Sequence, residues 1–121
     1  MAWIVAYIDQ GNAATIAITP NQATNVAAGG TKVISATQIW ANEDLAATSV
    51  LTRQTDAANF TTSAAVKLKM VVFQINPDAL DIAGGFDCIT LIFGSSNAGN
   101  ITSAFLLVEP RYDSNTNMIV D

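Results

Sequence analysis

Histidine is missing from this 121-residue chain, and with it go Ser-His-Asp and Cys-His catalysis and every histidine metal site. Cysteine occurs once, as Cys88. No internal disulfide can form, nothing argues for an oxidising compartment, and the position inside an apolar run reads as a small buried hydrophobe rather than a reactive thiol. Neither a G-x-S-x-G elbow nor a phosphate-cradling glycine loop occurs. Charge is scarce at 12% of residues, and the five basic ones (Lys32, Arg53, Lys67, Lys69, Arg111) face ten carboxylates. A net charge of -5 with no basic stripe opposes nucleic-acid binding, which needs clustered cations to displace phosphate counterions. No apolar run approaches the ~18 residues that span a bilayer, so no membrane partner is expected. The opening MAWIVAYIDQ lacks the basic n-region of a signal peptide. The chain therefore reads as one made in a cytoplasm, which makes the sequons at Asn59 and Asn100 chance matches.

What remains is a sequence of short apolar runs separated by turn residues. Ala2 to Ile8 is a first strand or an extended N-terminal arm within residues 1–10, and Gly11-Asn12 turns it into Ala14 to Thr19. Pro20-Asn21 then breaks the pattern, and Gly29-Gly30 punctuates the next turn. Lys32 to Trp40, Thr48 to Gln54, Val66 to Ile75, Cys88 to Phe93 and Ser103 to Glu109 read as further strands, which makes seven or eight. One short helical turn is expected near residues 77–82, with Asn76 as cap, Pro77 at the first helical position and Asp78 beside the positive end; Gly84-Gly85 ends it. With no long 3.6-period segment, no repeat and no linker, residues 1–121 form a single all-β domain, an antiparallel β-sandwich of jelly-roll type. The polar segment Asp113 to Asn117 and the apolar Met118-Ile119-Val120 after it are expected to form a flexible tail over 113–121 that either frays or docks.

The face pattern bears on function. A sandwich strand should alternate apolar inward with polar outward, yet Val71-Val72-Phe73 and Ala104 to Val108 are apolar on both faces. A loop or the N-terminal arm of the same chain covers the outer side, or else other subunits do. Lys67 and Lys69 share a face of the strand that Met70 to Phe73 continue, so this strand is expected to run from a wet end into a covered one. Trp3 and Trp40 read as core or interface anchors ahead of sugar-stacking platforms. Tyr7, Phe105, Leu107, Arg111 and Tyr112 complete the candidate interface set, Arg111 pairing with Glu109 or a neighbouring carboxylate. Asp78, Asp81 and Asp87 could offer calcium hard oxygen ligands, but their spacing fits no EF-hand loop, and turn capping is the simpler role. No catalytic residue, cofactor or metal ligand is assigned, and a two-aspartate glycosidase is the weakest reading, because so few charged neighbours could separate the two pKa values.

A resemblance then enters. Ile75-Asn76-Pro77-Asp78-Ala79-Leu80-Asp81, Gly84-Gly85-Phe86-Asp87-Cys88-Ile89, Ser96 to Ala104 and the closing Glu109-Pro110-Arg111-Tyr112 resemble small capsid decoration, or cement, proteins of tailed bacteriophages. It spans roughly the last third of the chain, while the first 60 residues match only in length and Ala/Thr/Asn-rich composition. The resemblance implies a non-enzymatic virion protein on the outer surface of the capsid, a homotrimer bound to the major capsid protein and bridging its capsomers. A carbohydrate-binding sandwich on the phage surface or tail is the alternative, and would place Trp3 or Trp40 beside carboxylates in a groove.

Overall fold

The computed structural model describes residues 1–110, and within them nine strands form two antiparallel sheets packed face to face. The all-β sandwich expected from the sequence is the fold. Arg111, Tyr112 and the 113–121 tail lie outside the described residues.

The larger sheet has the order β5 (Thr52–Arg53), β4 (Gln38–Asn42), β7 (Leu68–Ile75), β1 (Ala2–Gln10), β9 (Asn100–Val108). The smaller sheet is built on β2 (Ala17–Ala23): β8 (Cys88–Phe93) pairs along one side, while β3 (Lys32–Val33) and β6 (Phe60–Thr61) share the other. Period-two alternation on β1 and β7 sends Ala2, Ile4, Ala6, Ile8, Val71, Phe73 and Ile75 inward, where they meet Ile16, Ile18 and Ile34 from the smaller sheet.

Of the two readings of the N-terminal segment, the strand is the one found, and one expectation is corrected. The segment is β1, the strand between β7 and β9, paired with β7 over Ala2–Asp9 and with β9 over Ala2–Gln10. Its every second residue is core, which is why an apolar run so near the terminus is retained inside the molecule. The correction is at Pro20-Asn21, which does not end a strand, since β2 runs straight through it. On the side of β2 away from β8, β6 reaches Ala17 and Ile18 while β3 reaches Asn21 and Gln22. Pro20 falls in the gap between them, so its missing N–H costs no ladder bond, and its carbonyl still accepts from the Ile34 N–H at 3.3 Å.

The expected turn after β7 is a pair of 3-10 turns, Pro77–Ala79 and Ile82–Gly84. Asn76 caps the first by accepting from the Asp78 N–H at 3.1 Å, and Asp81 caps the second through the Gly84 N–H at 3.0 Å. Gly85 closes it at φ 84°, a left-handed conformation that costs glycine little. Asp81 also draws Lys32 into a 2.9 Å ion pair, and Lys32 lies 5.3 Å from the Phe86 ring centroid.

Candidate functional site: the outward face of the larger sheet

Pairing register decides which side chains share a face, because residues opposite one another in an antiparallel sheet point the same way. Across the larger sheet one row reads Trp40, Val72, Val5, Phe105. The next reads Gln38, Gln74, Trp3, Leu107, and the row on the other side brings Asn42, Met70, Tyr7 and Ser103 together. All three rows point away from the smaller sheet, because the alternate residues fill the core. The five described members of the candidate interface set, Trp3, Tyr7, Trp40, Phe105 and Leu107, thus lie on one face, although they come from three strands distant in sequence.

This face is neither buried nor wet throughout. Trp3, Tyr7, Trp40, Met70 and Val72 are half-buried by one another, while Phe105 and Leu107 on the edge strand expose 55% and 51% of their surface. A shallow hollow of about 280 Å³ opens between Trp3, Trp40, Leu51, Val72 and Gln74. Beside it, Arg53 of β5 sets its guanidinium carbon 4.8 Å from the Trp40 ring centroid and pairs with Asp56. The lining of the hollow contains no carboxylate and no nucleophile.

The acidic and thiol groups singled out from the sequence have other partners. Asp81 accepts from Gly84 and Lys32, and the Lys32 ammonium, ahead of the Gly84 N–H, holds its carboxyl below the usual range. Among the described residues, no three acidic or cysteine side chains converge as a metal site would need. Cys88 is half-buried, not buried as expected, because β8 is an edge strand. The neighbouring Asp87 carboxylate, with some help from desolvation, raises its pKa, so the thiol stays protonated at neutral pH and is a poor nucleophile.

One polar site escaped the sequence reading. Lys69 occupies an inward position of β7 and is fully buried, instead of marking a wet end. Its ammonium donates to Gln10 Oε1 at 2.8 Å, to the Ser63 carbonyl at 2.7 Å and to Ser63 Oγ at 3.1 Å, with Glu43 Oε1 at 3.9 Å. Three donors thus meet three acceptors, which makes burial of the charge tolerable. Desolvation lowers its pKa, with Glu43 opposing. The position parity of Lys69 with Val71 and Phe73 was the available signal; a lysine there must be either solvated or capped, and Gln10, also inward on β1, supplies the cap.

Fold and site together define an all-β sandwich whose larger sheet turns an aromatic and aliphatic face outward. Set beside known proteins, the chain matches no family model, no curated protein and no solved structure.

Proposed function

We propose that the chain is a structural virion protein, a decoration protein that binds the outside of a tailed-phage head and holds neighbouring capsomers of the major capsid protein together without catalysis. The observation that supports this most is the outward face of the larger sheet, where Trp3, Tyr7, Trp40, Phe105 and Leu107 form a continuous aromatic and aliphatic surface on a rigid frame. Such a patch on a chain with so little charge fits a permanent protein contact better than a transient one. The motif resemblance over residues 75–112 adds to this reading. Many copies on one shell engage together, so a modest individual contact suffices for a stable coat.

Cosedimentation with phage heads stripped of their small outer proteins tests the proposal. Trp3→Ser combined with Leu107→Ser should weaken head binding by about 100-fold, the scale on which paired aromatic and aliphatic anchors act, with the circular dichroism spectrum unchanged. Undiminished binding by that folded variant, or no head binding by the wild type, would overturn the reading. Carbohydrate binding is not favoured by the geometry, because the hollow between the two tryptophans offers a sugar one amide, Gln74, and no carboxylate.

A further inference from the structure

Both sheets stop at the same side of the sandwich in a strand that is partnered on one flank only among the described residues: β8 pairs β2, and β9 pairs β1. Between these two edges the interior is open, as a cleft of about 160 Å³ whose lining includes Ile4, Ile89, Leu91, Ala104 and Leu106. The edge of β9 is apolar on both faces, with Leu106 and Val108 exposing 45% and 49% although they point to the core side.

Hydrogen-bond alternation fixes which backbone groups look outward. Glu109 donates its N–H to the Met1 carbonyl, so on β9 the odd residues face β1, while Thr102, Ala104, Leu106 and Val108 aim their N–H and C=O groups away. Gly94 likewise donates to Ala17, which leaves Ile89, Leu91 and Phe93 of β8 directed outward. Native sheets commonly guard such edges with charge, proline or a bulge. Neither Cys88–Phe93 nor Asn100–Val108 contains a charged residue or a proline.

We propose that β8 and β9 are the two seams of a twofold homodimer, in which each sheet continues from one copy into the next and the two open clefts merge into a shared core. Three features select a second copy as the occupant. A single extended peptide can pair with one edge, whereas a two-layered partner satisfies both and fills the cleft. The seam strands themselves carry no charged side chain, so identical copies bring no like charges together along Cys88–Phe93 or Asn100–Val108. The side wall, ~30 Å along β9 and ~20 Å across the two layers, offers on the order of 600 Å² per partner before side-chain relief, close to the ~800 Å² of a standard stable interface.

Head-to-tail association lacks a match, because the opposite edges of the sandwich, β3, β5 and β6, are two residues long each. A trimer closed by edge-to-edge strand pairing would need such a match, so the seams favour the twofold arrangement. The pairing involves no capsid and stands or falls separately from head binding.

Sedimentation equilibrium of the purified chain tests it. The expected mass is twice 12.7 kDa. Ala104→Pro removes an N–H that points away from β1, leaving the internal ladder whole, and Leu106→Lys puts an ammonium into the cleft; each should weaken the dimer by about 100-fold. The single variant Trp3→Ser, changed on the outward face of the inner strand β1 and away from both seams, should dimerise normally. A monomeric or trimeric wild type, or a dimer insensitive to both substitutions, would overturn the proposal. Should both variants fail to fold, hydrogen exchange on the wild type decides. Amides of Thr102, Ala104, Leu106 and Val108 should be protected, and more so as concentration rises. Fast exchange would overturn the pairing, as would concentration-independent protection in a monomer, which would assign the edge to residues 111–121.

Discussion

Lys69 shows how one side chain constrains a whole end of the sandwich. Truncating it to alanine leaves Gln10 Oε1 without its donor, while the Ser63 carbonyl keeps the Gln10 Nε2–H at 3.2 Å, and opens a cavity, for an expected loss of about 3 kcal/mol in urea unfolding. Replacing Lys69 by Met and Gln10 by Leu together should recover only part of that, since Gln10 Oε1 is no longer left over but the Ala14 and Ser63 carbonyls lose the Gln10 amide as donor. The charge also has a pH signature. Burial holds the folded-state pKa of Lys69 below 10.5, so between that lowered value and 10.5 the unfolded chain binds more protons and stability rises with pH. Cys88, raised above 9.0, contributes the opposite slope in the alkaline range. Comparing the wild type with Lys69→Met cancels the cysteine, and the wild type should gain on the variant as pH climbs towards 10.5. A constant difference would mean that Lys69 is solvated. At Ala28 the backbone lies at φ 60°, where a Cβ is strained, so Ala28→Gly should raise stability by about 0.5 kcal/mol in the same assay despite the entropy lost to glycine.

At the scale of elements, β1 carries the clearest consequence. Because it pairs with β7 on one side and β9 on the other, removing residues 1–8 should abolish the cooperative thermal transition, and not merely detach a binding arm. A deletion that still melts cooperatively would contradict the register. The same strand marks where sequence reasoning reached its limit. Alternation on β1 and β7 was legible and correctly implied an inward apolar face, and the cap Asn76 with Pro77 behind it was legible because those signals are local. Which strands neighbour each other was not, since that depends on contacts between residues far apart in the chain. Lys32 to Trp40 looked like one strand, yet β3 and β4 end in different sheets. Thr48 to Gln54 looked like another, but only Thr52 and Arg53 pair. Pro20 was misleading for a related reason, because a proline is tolerated wherever the flanking ladder has a gap, and the gap is made by strands far along the chain. The candidate face was half visible: apolar residues on both sides of a strand announced an uncovered surface, while its assembly from β1, β4 and β9 needed the register.

For the whole molecule, acid is the expected weak point. Asp81 and Asp44 both sit below the ordinary carboxylate value of 3.8, chiefly through hydrogen bonds from Lys32 and Lys67. A carboxyl whose pKa is depressed on folding contributes stability above 3.8 that is lost as pH falls through the folded value. The melting temperature should therefore decline below about pH 4, and the decline should be shallower in Lys32→Met, which leaves Asp81 unpaired at every pH. An unchanged acid limb in that variant would show the exposed pair to be energetically silent, as many surface pairs are.

Sealing Lys69 also divides the chain's amines by reactivity. Lys32 and Lys67 have about half of their side chains in solvent and will take an acylating reagent readily, whereas the nitrogen of Lys69 is shielded and engaged by Gln10 and Ser63. Acylation at that nitrogen therefore reports opening of the sandwich, a covalent record of unfolding events too brief to be seen spectroscopically.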